Sequence, residues 1–174
     1  MSKLAAILLA ALCIPFAALA QVKAPADAEL AARNYMSAFL TGDVQAAANL
    51  MDTDALAKLR EVFMAELAKV EGTEKEKGFL AYQGIARPTG DIKAMTPFAL
   101  YVMIVESNHR LNREAFEAMK ATKVEVIGSA LTPGGAATVR LRLTKPSGTG
   151  ASSEETALSM RLVPSGWKVV SSAP

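Results

Sequence analysis

Residues 137–144 read ATVRLRLT. Val139, Leu141 and Leu143 fall on one side and Arg140 and Arg142 on the other, the period of two that an extended strand turns into two faces. The same period runs outward in both directions. Residues 123–128, KVEVIG, alternate. Residues 155–163, ETALSMRLV, set Thr156, Leu158, Met160 and Leu162 together, opposite Ala157, Ser159 and Arg161. GWKVVS, from Gly166, closes the series, with Trp167 and Val169 expected on the buried side. The connectors are TPGG, KPSGTGASS and PSG, all rich in turn formers. Together they predict an antiparallel meander with one apolar face and one basic-polar face.

Upstream the period is that of helices. Pro25 and Asp27 open the first, and Ala28, Ala31, Ala32, Tyr35 and Phe39 share a face. Gly42 stops it, and Asp43 caps a short helix from Val44 to Met51. Thr53 or Asp54 is expected to cap a third helix striped by Leu56, Leu59, Phe63, Leu67 and Val70, closed by Gly72. Residues 73–95 are the hardest to read; a short helix followed by a Pro88-Thr89-Gly90 turn is expected. Thr96-Pro97 has the form of a cap with proline at the first helical position. That makes the apolar FALYVMIVE a helix, although period alone would admit a buried strand. A further helix is expected from about Asn112 to Lys120, with Phe116 and Met119 facing inward. Helices first and strands last make an α+β chain with helices packed on a curved C-terminal antiparallel sheet.

The first twenty residues have the form of a secretory leader. Lys3 precedes an apolar run ending in Ala18-Leu19-Ala20, which places cleavage after Ala20. Pro15 interrupts that run, against a membrane anchor. Cys13 follows the large Leu12 inside the run, against lipidation. The expected product is a periplasmic or secreted chain, not membrane-anchored, with residues 21–174 as one domain. Cys13 is the single cysteine of the sequence, so the mature chain offers no thiol and no disulfide. The formal charge of +2 does not advertise nucleic acid as a partner.

The order of these elements resembles a family. A long first helix, AELAARNYMSAFLTGDVQAAANLMD, leads into Gly42-Asp43 and a short helix, and the chain ends in PSGWKVV. This is similar to the NTF2-like fold of SnoaL-like proteins and ketosteroid isomerases. The stretch MTPFALYV with ATKVEVIGSALTPGGAATVRLRLT resembles small exported bacterial members still more closely. The resemblance implies a cone whose curved sheet wraps the first helix and leaves a pocket at its open end. It implies no activity by itself, since one fold hosts enzymes and binding modules alike. The isomerase branch uses a carboxylate base with a tyrosine and a second acid, and no such trio is matched here.

Candidate site residues follow. His109, the sole histidine, lies in SNHRLNRE, Ser107–Glu114. With no cysteine and no second histidine it lacks a zinc partner set, and it is expected to be a polar corner between two helices, Ser107 and Asn108 beside it. No catalytic residue, metal site or cofactor is assigned. If a pocket is lined by the first helix, Tyr35 and Phe39 line it, with Tyr101 as the next candidate, because a buried phenol needs a partner that a ligand can supply. Arg140, Arg142, Arg161, Lys168 and Lys123 form a basic strand face with Glu125, Glu154 and Glu155 as local counter-charges. The leading expectation is a non-catalytic exported module that binds a small apolar or amphipathic ligand, or a protein partner. The alternatives are an isomerase- or dehydratase-like enzyme and a structural subunit forming a homodimer through its sheet face.

Overall fold

The computed structural model describes residues 23–148 and 150–173. The expected leader, its expected cleavage point and Cys13 lie outside the described residues. Within them the chain is α+β, with seven helices followed by a four-stranded antiparallel sheet. It gathers into two compact units. One joins the residues up to Ser37 with those from Ala121 onward, and the other is Ala38–Lys120.

In the first unit, helix α1 (Ala26–Thr41) begins just after Pro25, whose carbonyl accepts from the Ala28 amide at 3.0 Å. Asp27 and Glu29 in its first turn suit the positive end of the helix. Ala28, Ala32, Tyr35 and Met36 are buried. Strands β1 (Lys123–Leu131), β2 (Ala137–Ser147), β3 (Gly150–Val163) and β4 (Gly166–Ala173) follow as a simple meander. Glu29 ties the helix to β1, accepting from the Ser129 hydroxyl at 2.6 Å. The expected alternation holds: Val139, Leu141, Leu143, Leu158, Met160, Trp167 and Val169 are buried, whereas Arg140 and Arg161 are exposed. Leu162 departs from it. It continues the period but sits next to the Val163–Gly166 hairpin end, and it is exposed. Two ladder irregularities leave one extra residue each, Ile127 in β1 and Val170 in β4.

The second unit is helical. Gly42, at φ 87°, turns the chain out of α1, and its neighbour's amide, that of Asp43, reaches back to the Ala38 carbonyl at 2.9 Å. Helix α2 (Val44–Asn49) is capped by the Asp43 carboxylate. Helix α3 (Thr53–Ala68) is capped by Asp52, not by Thr53 or Asp54. The buried Asp52 carboxylate accepts from the Asp54 and Ala55 amides. Helix α4 (Lys75–Tyr82) is the short helix expected in that region. The predicted turn at 88–90 is instead the start of helix α5 (Thr89–Ala94), for which Pro88 is the cap position. Helix α6 (Pro97–Leu111) starts at Thr96 as expected, the Thr96 hydroxyl accepting from the Ala99 amide. Helix α7 (Arg113–Met119) buries Phe116. Leu67, Leu80, Ile85, Ile92, Leu100 and Met103 make one apolar core, and Val44, Ala48, Leu56, Tyr101 and Val102 a second.

Candidate functional site

Helix α6 builds an open groove of about 290 Å³ within the helical unit. Phe98, Ala99, Val102 and Met103 lie on its floor, and further along the same face come Glu106 and Arg110. The spacing explains this: 98, 102, 106 and 110 recur every four residues, and so share one side of a helix. The first two are apolar and the last two charged. Met95 and Arg87 border it from the segment before α6, and Gln45 from α2. Floor residues Val102 and Met103 are buried, and the rim residues Gln45, Arg87, Glu106 and Arg110 are exposed.

The rim is partly preset. Arg110 donates from Nη2 to the hydroxyl of Ser107 at 2.9 Å, with a longer contact to the Gly84 carbonyl at 3.5 Å. Ser107 lies near the end of α6 as expected, but its side chain is fully buried. Gly84 approaches α6 so closely that a Cβ there would lie 2.8 Å from Leu111 and 3.0 Å from the Ser107 carbonyl, and its φ of 68° also favours glycine. The connection leading to Arg87 is thereby held against the helix. Among the described residues Arg110 meets neutral acceptors only, and no ion pair joins Glu106 to Arg87 or Arg110.

Tyr35 and Tyr101 are buried, at 7% and 5% exposure, and Tyr101 belongs to the second apolar core of the helical unit. Phe39 is half-buried, its ring edge-on to His109 at 6.0 Å between centroids. The α6 groove is lined by none of the three. A recess of about 340 Å³ in the other unit, where Glu29, Leu30 and Arg33 of α1 face Val124 to Val126 of β1, is not lined by them either. There Glu29 is already held by Ser129 and by Lys23 at 3.4 Å. Residue patterns singled out aromatic side chains and missed the α6 rim. The available signal was the change from apolar to charged along a single four-residue stripe.

His109 is half-buried in an aromatic stack. Its ring lies 3.6 Å from that of Phe116, 18° from parallel, and Lys120 sits 5.3 Å above the Phe116 centroid. Nε2 of His109 is buried without a hydrogen-bond partner. Burial holds its pKa below the usual imidazole value; Glu106 opposes that shift and Lys120 adds to it. On the outer sheet face Glu155 accepts from Arg140 at 2.7 Å and Arg142 at 3.2 Å, which lowers its pKa. Glu125 pairs with Arg142 at 3.8 Å, and Lys145 with Glu154 at 2.9 Å. Arg140 and Arg142 of the basic stripe are thus countered within the sheet by Glu125 and Glu155.

No protein-family profile, curated protein or solved structure matches this chain. Among the described residues no three His, Cys, Asp or Glu side chains gather in a metal-binding group. No described helix is long and apolar enough to cross a membrane.

Proposed function

We propose that this chain is a non-catalytic binding module, exported after cleavage at Ala20 and built on an NTF2-like plan, that holds a small amphipathic ligand in the α6 groove. The observation that carries the reading is the groove itself, with its apolar floor of Phe98, Val102 and Met103 and a rim of Arg87, Arg110 and Gln45. Ligand sites combine this kind of apolar lining with a few placed polar groups. The volume lies just under the ~300–1,000 Å³ usual for such sites, which suits a short chain better than a folded segment. The family part of the reading is supported by the order of elements, helices first and a four-stranded meander last.

Binding fits the groove better than acid-base chemistry. Among the described residues Glu106 is the one carboxylate in its lining, and its charged neighbours there are arginines. A guanidinium does not release its proton at working pH, whereas acid-base catalysis needs titrating groups set apart in pKa. Calorimetric titration with octanol and octanoate tests the proposal. One saturable site is expected, lost when exposed Gln45 is replaced by Trp to cover the groove, with the circular dichroism spectrum unchanged. No binding of either probe, or binding indifferent to Gln45→Trp, would remove it.

A further inference from the structure

Resting on that reading of the α6 groove, we infer that its ligand is a short-chain fatty carboxylate, its chain on the Phe98–Met103 floor and its head between Arg87 and Arg110. The groove is polarised along the helix. Its apolar residues lie in the first turns of α6, and its charge begins with Glu106 and ends with Arg110. A ligand must therefore have one apolar end and one polar end, in that order. The lining carries two cations and one anion, and among the described residues no ion pair uses up either cation.

The two arginines differ in preparation. Arg110 is anchored through Nη2 to the buried Ser107. A guanidinium carries five donors in a planar fork, so its remaining N–H groups are held in a set direction. Fixing that side chain beforehand lowers the entropy lost on binding. Arg87 follows the Gly84–Ile85 segment, which packs against α6, and lines the same groove. Two forks meeting one head suit a carboxylate, whose paired oxygens accept from arginine in two parallel bonds. A cationic head would meet the arginines with like charge, and a neutral hydroxyl would leave most of their donors to water. Glu106 limits the charge the site accepts, since it repels a head bearing more than one negative charge.

The test compares probes of one chain length on the purified protein: octanoate, octanol and octylammonium. Octanoate should bind about three- to tenfold more tightly than octanol, the range of a charge-assisted hydrogen bond partly screened by solvent. Octylammonium should bind more weakly than either. Replacing Arg87 by Ala should remove most of the octanoate advantage and leave octanol unchanged, and Arg87→Lys should restore part of it. Glu106→Gln should tighten octanoate and loosen octylammonium. Equal affinity for octanoate and octanol, unaffected by Arg87→Ala, would overturn the carboxylate inference and leave the groove as an apolar site. Failure of every probe to bind would instead overturn the groove reading itself. Tighter binding of an apolar tripeptide with a free C-terminus than of octanoate would overturn the inference in favour of a protein tail.

Discussion

At the scale of one residue, His109 sets the pH response of the helical unit. Its ring stacks on Phe116 with Nε2 buried and unpartnered, so the folded state prefers the neutral imidazole. Its folded pKa is lowered from the unfolded value of about 6.5. Above that value both states are neutral and the contribution of His109 to stability is intact. As pH falls from there through the lowered folded value, the unfolded chain takes up a proton that the folded chain resists, so stability falls. Denaturant midpoints of the wild type should therefore drop between pH 7.5 and 5.5, and those of His109→Phe should drop less, on the order of the shift from that single proton. Half-buried Glu76 and exposed Glu117 and Glu155, whose pKa values are also lowered, act in the more acid carboxylate range and leave this window clear. Equal pH slopes for the two proteins would show that the stack does not resist protonation. The sequence places His109 at the α6–α7 corner but gives no sign of the stack. Phe39 lies on a different helix, and only the fold brings it beside His109.

At the scale of elements, what the sequence reveals depends on whether an element carries its own reasons. The strands do: ATVRLRLT alternates without help, and its register with β3 pairs Val139 with Leu158 and Arg142 with Glu155. Helix α6 does too, through Thr96 and Pro97. Helix α5 does not. It has six residues and is held from outside: Arg60 donates to the Lys93 and Met95 carbonyls, Lys93 pairs with Glu71, and the Thr89 hydroxyl donates to Glu76. Local sequence sees a Pro-Thr-Gly turn there because these partners are distant in the chain. The cap of α3 is ambiguous in the sequence for a smaller reason, since Asp52, Thr53 and Asp54 are all good caps and only the structure selects Asp52. The site divides in the same way. The α6 stripe can be read, but Gln45 and Arg87 arrive from separate segments. Strand β4 yields a direct check. Trp167 is 6% exposed and Val169 fully buried, while Val170 is exposed. Trp167→Ala should cost about 3–5 kcal/mol, as for other buried large aromatics, and native fluorescence should be blue of the unfolded spectrum. A water-like emission maximum in the folded protein would mean that β4 is registered the other way.

At the scale of the whole molecule, the two units differ in how the chain supplies them. The helical unit is continuous, Ala38–Lys120, and the other joins the start of α1 to the strands at the far end of the sequence. Contacts close in sequence form sooner because less loop entropy is lost in making them. In pulsed hydrogen exchange during refolding, amides of α3 and α6 should therefore be protected before those of β1 to β4. Simultaneous protection, or earlier protection of the strands, would contradict this order.

The sheet is open, with β1 at one edge and β4 at the other. A long flat edge is a template on which further copies can stack into fibrils. Here neither edge is regular. Ile127 interrupts the β1 ladder, and Val170 that of β4, while Lys123, Glu125 and Lys168 place charge along them. A bulged, charged edge registers poorly with its own copy. The expected consequence is colloidal: concentrated stocks should keep clear, without thioflavin-positive material, and straightening an edge by deleting Ile127 should end that tolerance.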